Sequence, residues 1–320
     1  MSDLTIRRAT DADLPAILEL LRSSMGRADD ARFEALFRWK HLENAYGPSP
    51  MWVACDGDRL AGLRVFMRWE FDSDEGVLRA VRAVDTATHP DYQGRGIFTK
   101  LTTLALEEVS AEGVDFVFNT PNDNSRPGYL KMGWHELGRP VAAVRPTRVA
   151  AIPRLRGART AASHWSEPCN AGVGAIEFLR DEATVDRLLA RREGKPGALR
   201  TRLAPAVLAW RFGLPELAYR VIGDDPADGV AFVRIRRRGG AREAAVALDL
   251  APGAAARRRL FGRIRRAVRR DADYLLALGS VPGFVPVRRL GPLVTARAAG
   301  GQPPGTIDDL ELRLGDVELF

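Results

Sequence analysis

The chain has 320 residues, 46% of them hydrophobic, which is enough for a large core and, as a prior, two domains. No apolar run approaches the ~20 residues of a membrane helix, and the opening "MSDLTIRRATDADLPAI" lacks the charged-then-apolar layout of a signal peptide. Two cysteines, Cys55 and Cys169, are too few for a disulfide framework, so a reducing cytoplasm and no membrane partner are expected.

The net charge of +7 and the pI of about 9.9 invite a nucleic-acid reading. The charge is uneven, however. Residues 1–160 hold 22 Lys+Arg and 22 Asp+Glu, leaving 26 cations and 19 anions to residues 161–320. Only Lys40, Lys100, Lys131 and Lys195 are lysines. Abundant Arg, Ala, Gly and Pro with scarce Lys is what a GC-rich genome produces without selection for a partner, so nucleic acid is not the expected ligand.

In chain order, residues 4–10 alternate apolar and polar and predict a strand. Thr10, Asp11 and Asp13 form an N-cap cluster before Leu14, Ile17, Leu18 and Leu21 at helical spacing. A second helix is expected over 31–42. Strands at 51–54 and 60–71 flank the Asp-Gly turn of "CDGDR". A long strand is expected at 77–88. The stripe Ile97, Leu101, Leu104, Ala105 and Val109 predicts a helix that Gly113 ends, followed by a buried strand at 114–119, a short helix at 125–132 and a strand at 134–144. Residues 146–168, rich in Arg, Pro, Ala and Ser, predict a linker. In the second half, a helix at 184–192 and strands at 219–222, 229–236 and 243–249 precede the amphipathic "AAARRRLFGRIRRAVRR", whose stripe is Leu260, Phe261, Ile264, Ala267 and Val268. Its arginines read as a solvated face. The tail "DDLELRLGDVELF" alternates like a strand.

"HPDYQGRGIF" puts two glycines between a strand and a helix. At that point free N–H groups and the positive end of the helix dipole meet, a natural anion site. Further on stand Asn119 and Asn122, then Tyr129 four residues before Gly133-Trp134. Together these residues resemble the GNAT superfamily of acyl-CoA-dependent N-acyltransferases. The family's pyrophosphate loop, Gln/Arg-x-x-Gly-x-Gly/Ala, matches Gln93-Gly94-Arg95-Gly96-Ile97-Phe98. Phe98 departs from it, standing where Gly or Ala is preferred. The later signature, Asn-x-x-Asn then Tyr before Gly-Phe, matches Asn119, Asn122, Tyr129 and Gly133-Trp134.

The resemblance implies an α/β (α+β) chain of two such domains, each a mixed, mostly antiparallel twisted sheet flanked by helices. The division expected is a catalytic domain at 1–145, the linker at 146–168, a degenerate copy at 169–300 and the tail at 301–320. It implies acetyl-CoA as co-substrate and no metal. Backbone N–H groups from Gly94 to Phe98 would cradle the pyrophosphate, and Ala87 and Thr88 would pair with pantetheine. Arg95 is either a further charge or a solvated arginine. The acceptor would be a primary amine of a small molecule or protein, attacking directly in a ternary complex. Tyr129 matches the family's general acid; otherwise it is a buried helix tyrosine. For the base, Asp85 is the first candidate and Glu70 the alternative; the competing reading of Asp85 is a salt bridge to a neighbouring arginine. Asp316, Glu318 or the Phe320 carboxylate either reaches the acceptor side or belongs to a plain edge strand. Trp39, Trp52, Trp69 and Trp134 either line an acceptor groove or fill the core.

A different class of function, a non-catalytic CoA-sensing or nucleic-acid-associated protein, uses the same fold. The two halves can also be read against each other: "FRWKH" with "LAWRF", "VDFVFN" with "ADYLLA", and "RPGYLKMGW" with "VPGFVPVRR". Tyr129 then meets Phe284, and Asn119 meets Ala277.

Overall fold

The computed structural model describes residues 4–25, 30–155, 158, 160–223 and 227–317. The chain runs β1 (Thr5–Arg8), α1 (Leu14–Met25), α2 (Arg32–His41), β2 (Met51–Asp56), β3 (Arg59–Ser73), β4 (Gly76–Thr88), α3 (Ile97–Ala111), β5 (Phe116–Asn119), α4 (Arg126–Lys131), β6 (His135–Gly138) and β7 (Ala142–Pro146). It continues with α5 (Ile152–Leu155), β8 (Val173–Gly174), α6 (Ala175–Phe178), α7 (Glu182–Ala190), β9 (Leu199–Thr201), α8 (Pro205–Phe212), β10 (Arg220–Ile222), β11 (Ala231–Arg238), β12 (Ala241–Asp249), α9 (Gly253–Ala267), β13 (Tyr274–Leu278), β14 (Val285–Val287), β15 (Val294–Ala298), β16 (Leu310–Glu311) and α10 (Leu314–Val317). The fold class is mixed α/β, with two sheets of mostly antiparallel strands flanked by helices.

The chain forms two compact units, Met1–Gly138 with Val294–Thr306, and Arg139–Leu293 with Ile307–Phe320. The strand expected over 134–144 is two strands: β6 stays in the first unit, while β7 sits between β14 and β13 in the second unit's sheet. In return β15, from the second half of the sequence, pairs with β5 and β6 in the first. The stretch expected as a linker carries α5, and Ala162 and Glu167 bridge to Arg238 and Ile235 of β11, so it belongs to the second unit.

The first sheet follows β1-β2-β3-β4-β5-β15-β6. Successive side chains of a strand point to opposite faces. Val53, Leu63 and Val65 therefore pack with Ile17, Leu20, Leu21 and Phe37 of α1 and α2. Trp52, Ala54 and Phe66 pack on the other face with Ile97, Leu101, Ala105 and Val109 of α3. Gly62 lets α3 come close: a Cβ there would stand 2.5 Å from Ile97 Cγ2. Trp39, Trp52, Trp69 and Trp134 are all buried core residues.

Two irregularities in this sheet shape the site. In β3–β4, Leu63 pairs with Ala87 and Val65 with Val84, so Arg64 alone faces both Asp85 and Thr86, a β-bulge. Asp85 adopts φ 42°, left-handed and strained for a non-glycine. The parallel pairing of β4 with β5 covers only Ala80–Arg82 against Phe116–Phe118. Beyond Arg82 the two strands part, leaving one edge of residues 83–88 open.

The second sheet, β14-β7-β13-β12-β11-β10-β8, repeats both irregularities. β12 and β13 share three parallel pairs, and the β11–β12 register slips between Phe232 and Val233. Leu260, Phe261, Ile264 and Val268 of the α9 segment pack on it, with the Arg258, Arg259, Arg266, Arg269 and Arg270 side of that segment exposed, as the solvated-face reading expects. Glu243 is fully buried, bonded by Arg236, by Arg238 (2.9 Å) and by Tyr274 Oη (2.7 Å). Among the described residues of the tail only Leu310–Glu311 is strand, paired in parallel with β9, and residues 314–317 are a helical turn.

Candidate active site

A cavity of about 430 Å³ opens in the first unit where β4 parts from β5 and α3 begins. Thr86, Ala87 and Thr88 contribute the open strand edge, Gln93, Gly94, Gly96, Ile97 and Phe98 the loop and helix start, and Asn122, Asn124, Ser125 and Gly128 the far wall. Gly94 and Gly96 have φ 75° and 73°, and no atom lies within 4 Å of a Cβ built on either. Both glycines are therefore required by backbone conformation, since an L-residue there is strained by roughly 1–2 kcal/mol. The space beside them is free for a ligand. Gly96 is the N-cap of α3, a 15-residue helix whose first N–H groups lack intrahelical acceptors. An anion fits such a terminus, and the open edge of β4 offers unpaired peptide groups to an amide-bearing chain.

The sequence-predicted residues divide as follows. Ala87, Thr88, Gln93, Gly94, Gly96, Ile97, Phe98 and Asn122 line the cavity. Arg95 does not; its guanidinium lies over the Tyr92 ring at 4.8 Å and donates to the Asp91 carbonyl. Asn119 is 2% exposed and accepts from Thr295 Oγ1, pinning β15 against β5. Asn122 has two tasks, because its Oδ1 also accepts from the Ser125 amide at the start of α4. Phe98, the departure from the loop pattern, lines the cavity and packs edge-on against Tyr129 with ring centroids 5.2 Å apart.

Asp85 points away from the cavity, to the α2 face. Its carboxylate accepts from Lys40 Nζ at 2.6 Å and His41 Nε2 at 2.8 Å, all three side chains being at most 6% exposed. Of the two readings of Asp85, the structure displays the ion pair, made with a lysine and a histidine instead of an arginine. Glu70 lies further along β3, opposite Arg79, and does not line the cavity. Asp316 is held within the second unit by Thr201 Oγ1 and Arg211 Nη1, both at 2.9 Å. Glu318 and Phe320 lie outside the described residues. Among the described residues no group of three or more His, Cys, Asp or Glu is placed to hold a metal.

Tyr129 lies directly behind the cavity wall, 4% exposed, next to Gly128. Sequence reasoning missed its partner. Arg64 Nη1 donates to Tyr129 Oη and to Thr86 Oγ1, each at 2.7 Å. The one available signal was a charge inside the apolar run "AGLRVFM". Ser24, Tyr92, Asn124 and Ser125 of the lining were also missed. The Tyr92 hydroxyl donates to Asp56 at 2.8 Å, and this bond, with burial, holds the phenol above its ordinary range.

Comparison with known proteins agrees with this geometry. The family model described as an acetyltransferase (GNAT) domain matches residues 5–137. No curated protein sequence matches the chain. Among solved structures, a probable N-acyltransferase from Enterococcus faecalis V583 superposes with a TM-score of 0.68 at 9% identity, covering 93% of this chain and 73% of that one. A GCN5-related N-acetyltransferase from Anabaena variabilis gives 0.65 at 15% identity, with the same coverage. Eis1 from Mycobacterium abscessus gives 0.56 at 16% identity, covering 92% and 74%. At these identities the likeness is one of fold. The sequence match makes residues 5–137, less than half of the chain, similar to an acetyltransferase (GNAT) domain.

Proposed function

We propose that the protein transfers an acetyl group from acetyl-CoA to a primary amine of a small molecule or protein, by direct attack within a ternary complex at the first unit's cavity. The observation that carries this reading is the pair of left-handed glycines at the start of α3, facing the open end of β4 across one cavity. Amides at the helix start would bind the pyrophosphate, and the 86–88 edge would pair with the pantetheine amides. An N–H of that edge, aimed at the thioester carbonyl, would stabilise the oxyanion. The amine must attack in its neutral form, although a lysine-like amine has a pKa near ~10.4. The leaving thiolate takes its proton from Tyr129.

Thiol release from acetyl-CoA across a panel of polyamines, aminoglycosides, amino acids and peptides tests the activity. Salt-dependent binding to nucleic acid with no thiol release from any amine would refute it. Tyr129→Phe should lower kcat by about 10–10⁴-fold with little change in KM. A variant with full kcat, when chemistry limits the rate, removes Tyr129 from the mechanism. Two free cysteines, one of them buried, accord with a reducing cytoplasm. No helix among the described residues is long and apolar enough to cross a membrane.

The second unit reads as a duplicated, catalytically silent copy. Its support is the repeated bulge, the repeated three-pair parallel contact and the matching helix between them, α9 for α3. In the paired sequences Phe284 meets Tyr129, and it has no hydroxyl to give. One acetyl-CoA should bind per chain, and a titration with two equivalent sites would overturn this.

A further inference from the structure

Arg64 is fully buried in β3, yet no carboxylate among the described residues pairs with it. Its Nε and Nη2 have no hydrogen-bond partner there. A buried cation left without a counter-charge is costly. What surrounds this one is aromatic: its guanidinium carbon lies 4.7 Å from the Phe66 ring centroid, 5.2 Å from that of Tyr129 and 5.5 Å from that of Phe98. Ring faces attract a cation but do not neutralise it. The remaining contacts, Tyr129 Oη and Thr86 Oγ1, join it to a cavity-lining threonine and to the tyrosine behind the wall.

We propose that Arg64 is a positioning residue that makes Tyr129 competent to protonate the leaving thiolate; this rests on the acetyl-transfer reading above. A guanidinium can only donate. The Tyr129 oxygen must therefore accept from Nη1, and its own hydrogen is turned elsewhere, free for the sulfur. When that hydrogen transfers, the O–H bond breaks, an S–H bond forms and the electron pair stays on the phenolate oxygen. Arg64 is the fixed positive charge 2.7 Å from that oxygen, already desolvated and needing no reorganisation. The amine nitrogen gives its surplus proton to solvent, and solvent returns one to Tyr129, which closes the cycle. The missing counter-ion is then part of the design: a resident carboxylate would cancel the charge before the phenolate forms.

A double-mutant cycle tests this. Arg64→Met is made in the parental protein and in the Tyr129→Phe variant, and kcat, KM and acetyl-CoA affinity are measured in all four proteins. Arg64→Met should lower kcat about 10²-fold in the parental background, within the range of a lost general acid, but less than about 3-fold in the Tyr129→Phe background. Affinity for acetyl-CoA should change little. A purely structural arginine would produce the same loss in both backgrounds, and that result, including no loss in either, overturns the proposal. If the methionine variants do not fold, the cycle is run with Arg64→Gln, which keeps a donor but carries no charge, under the same criterion. Full kcat in Tyr129→Phe alone would instead sink the acid reading on which the proposal rests. A slow Tyr129→Phe with equal Arg64 losses sinks only the part given to Arg64.

Discussion

Replacing Gly96 by valine separates backbone conformation from ordinary packing. Gly96 has φ 73°, which costs an L-residue about 1–2 kcal/mol, and β-branched valine lies at the upper end. No atom lies within 4 Å of the new Cβ, so no clash inside the unit adds to this. The substituted loop relieves the strain by leaving the left-handed region, and the amides at the start of α3 then no longer converge on one point. Returning them to the binding conformation costs the same ~1–2 kcal/mol, or 5–30-fold in Kd. The valine methyls also intrude on the cavity that Gly96 lines. Calorimetric titration with acetyl-CoA should therefore show affinity lowered about tenfold or more. Gly57→Val is the control. Its φ is 58°, its surroundings are equally open, and it sits in the β2–β3 turn outside the cavity lining. It should lower the melting temperature comparably and leave Kd unchanged. Unchanged affinity in Gly96→Val, or an equal loss in Gly57→Val, would refute the argument.

Asp85→Asn removes one charge from a buried ion pair with Lys40, and denaturant titration should show a loss of about 3–5 kcal/mol. A variant of parental stability that has lost kcat would instead restore Asp85 as the base. In the second unit, burial pushes the Glu243 carboxyl up, but Arg236, Arg238 and the Tyr274 hydrogen bond pull it further down, below its usual range. A depressed folded-state value means that its stabilisation is complete above the unfolded carboxyl's ~4.3 and is lost as pH falls through the folded value. Unfolding midpoints should therefore drop on acidification below about pH 4.3, and less steeply in Glu243→Gln; equal slopes in the two proteins would count against it. Gly62→Val should displace α3, because its Cβ would stand 2.5 Å from Ile97 Cγ2. A parental melting temperature in that variant would show that the helix yields freely.

What the sequence determined by itself is local. Two glycines one residue apart before an apolar 3.6-residue stripe specify a left-handed turn feeding a helix, and Gly94 and Gly96 adopt it. Asp56-Gly57 sets the β2–β3 hairpin, and alternation along β3 sends Leu63 and Val65 to one face and Phe66 to the other. Of the cavity wall, Ala87, Thr88, Gln93, Gly94 and Gly96 to Phe98 were legible because they are neighbours in the chain, whereas Tyr92 was not and Arg95 turns away. What only the tertiary structure decided is non-local. Gly138-Arg139-Pro140 is a local signal for the break between β6 and β7, but the run 134–144 carries no record of its partners, so their placement in different sheets had no local signal. Asp85 and Thr86 are adjacent, yet the bulge turns one to Lys40 and the other to Arg64. The importance of Arg64 depends on Phe98 and Tyr129 arriving from two other elements with no carboxylate among them, because the cost or use of a buried charge is set by what packs around it, not by the residues that flank it.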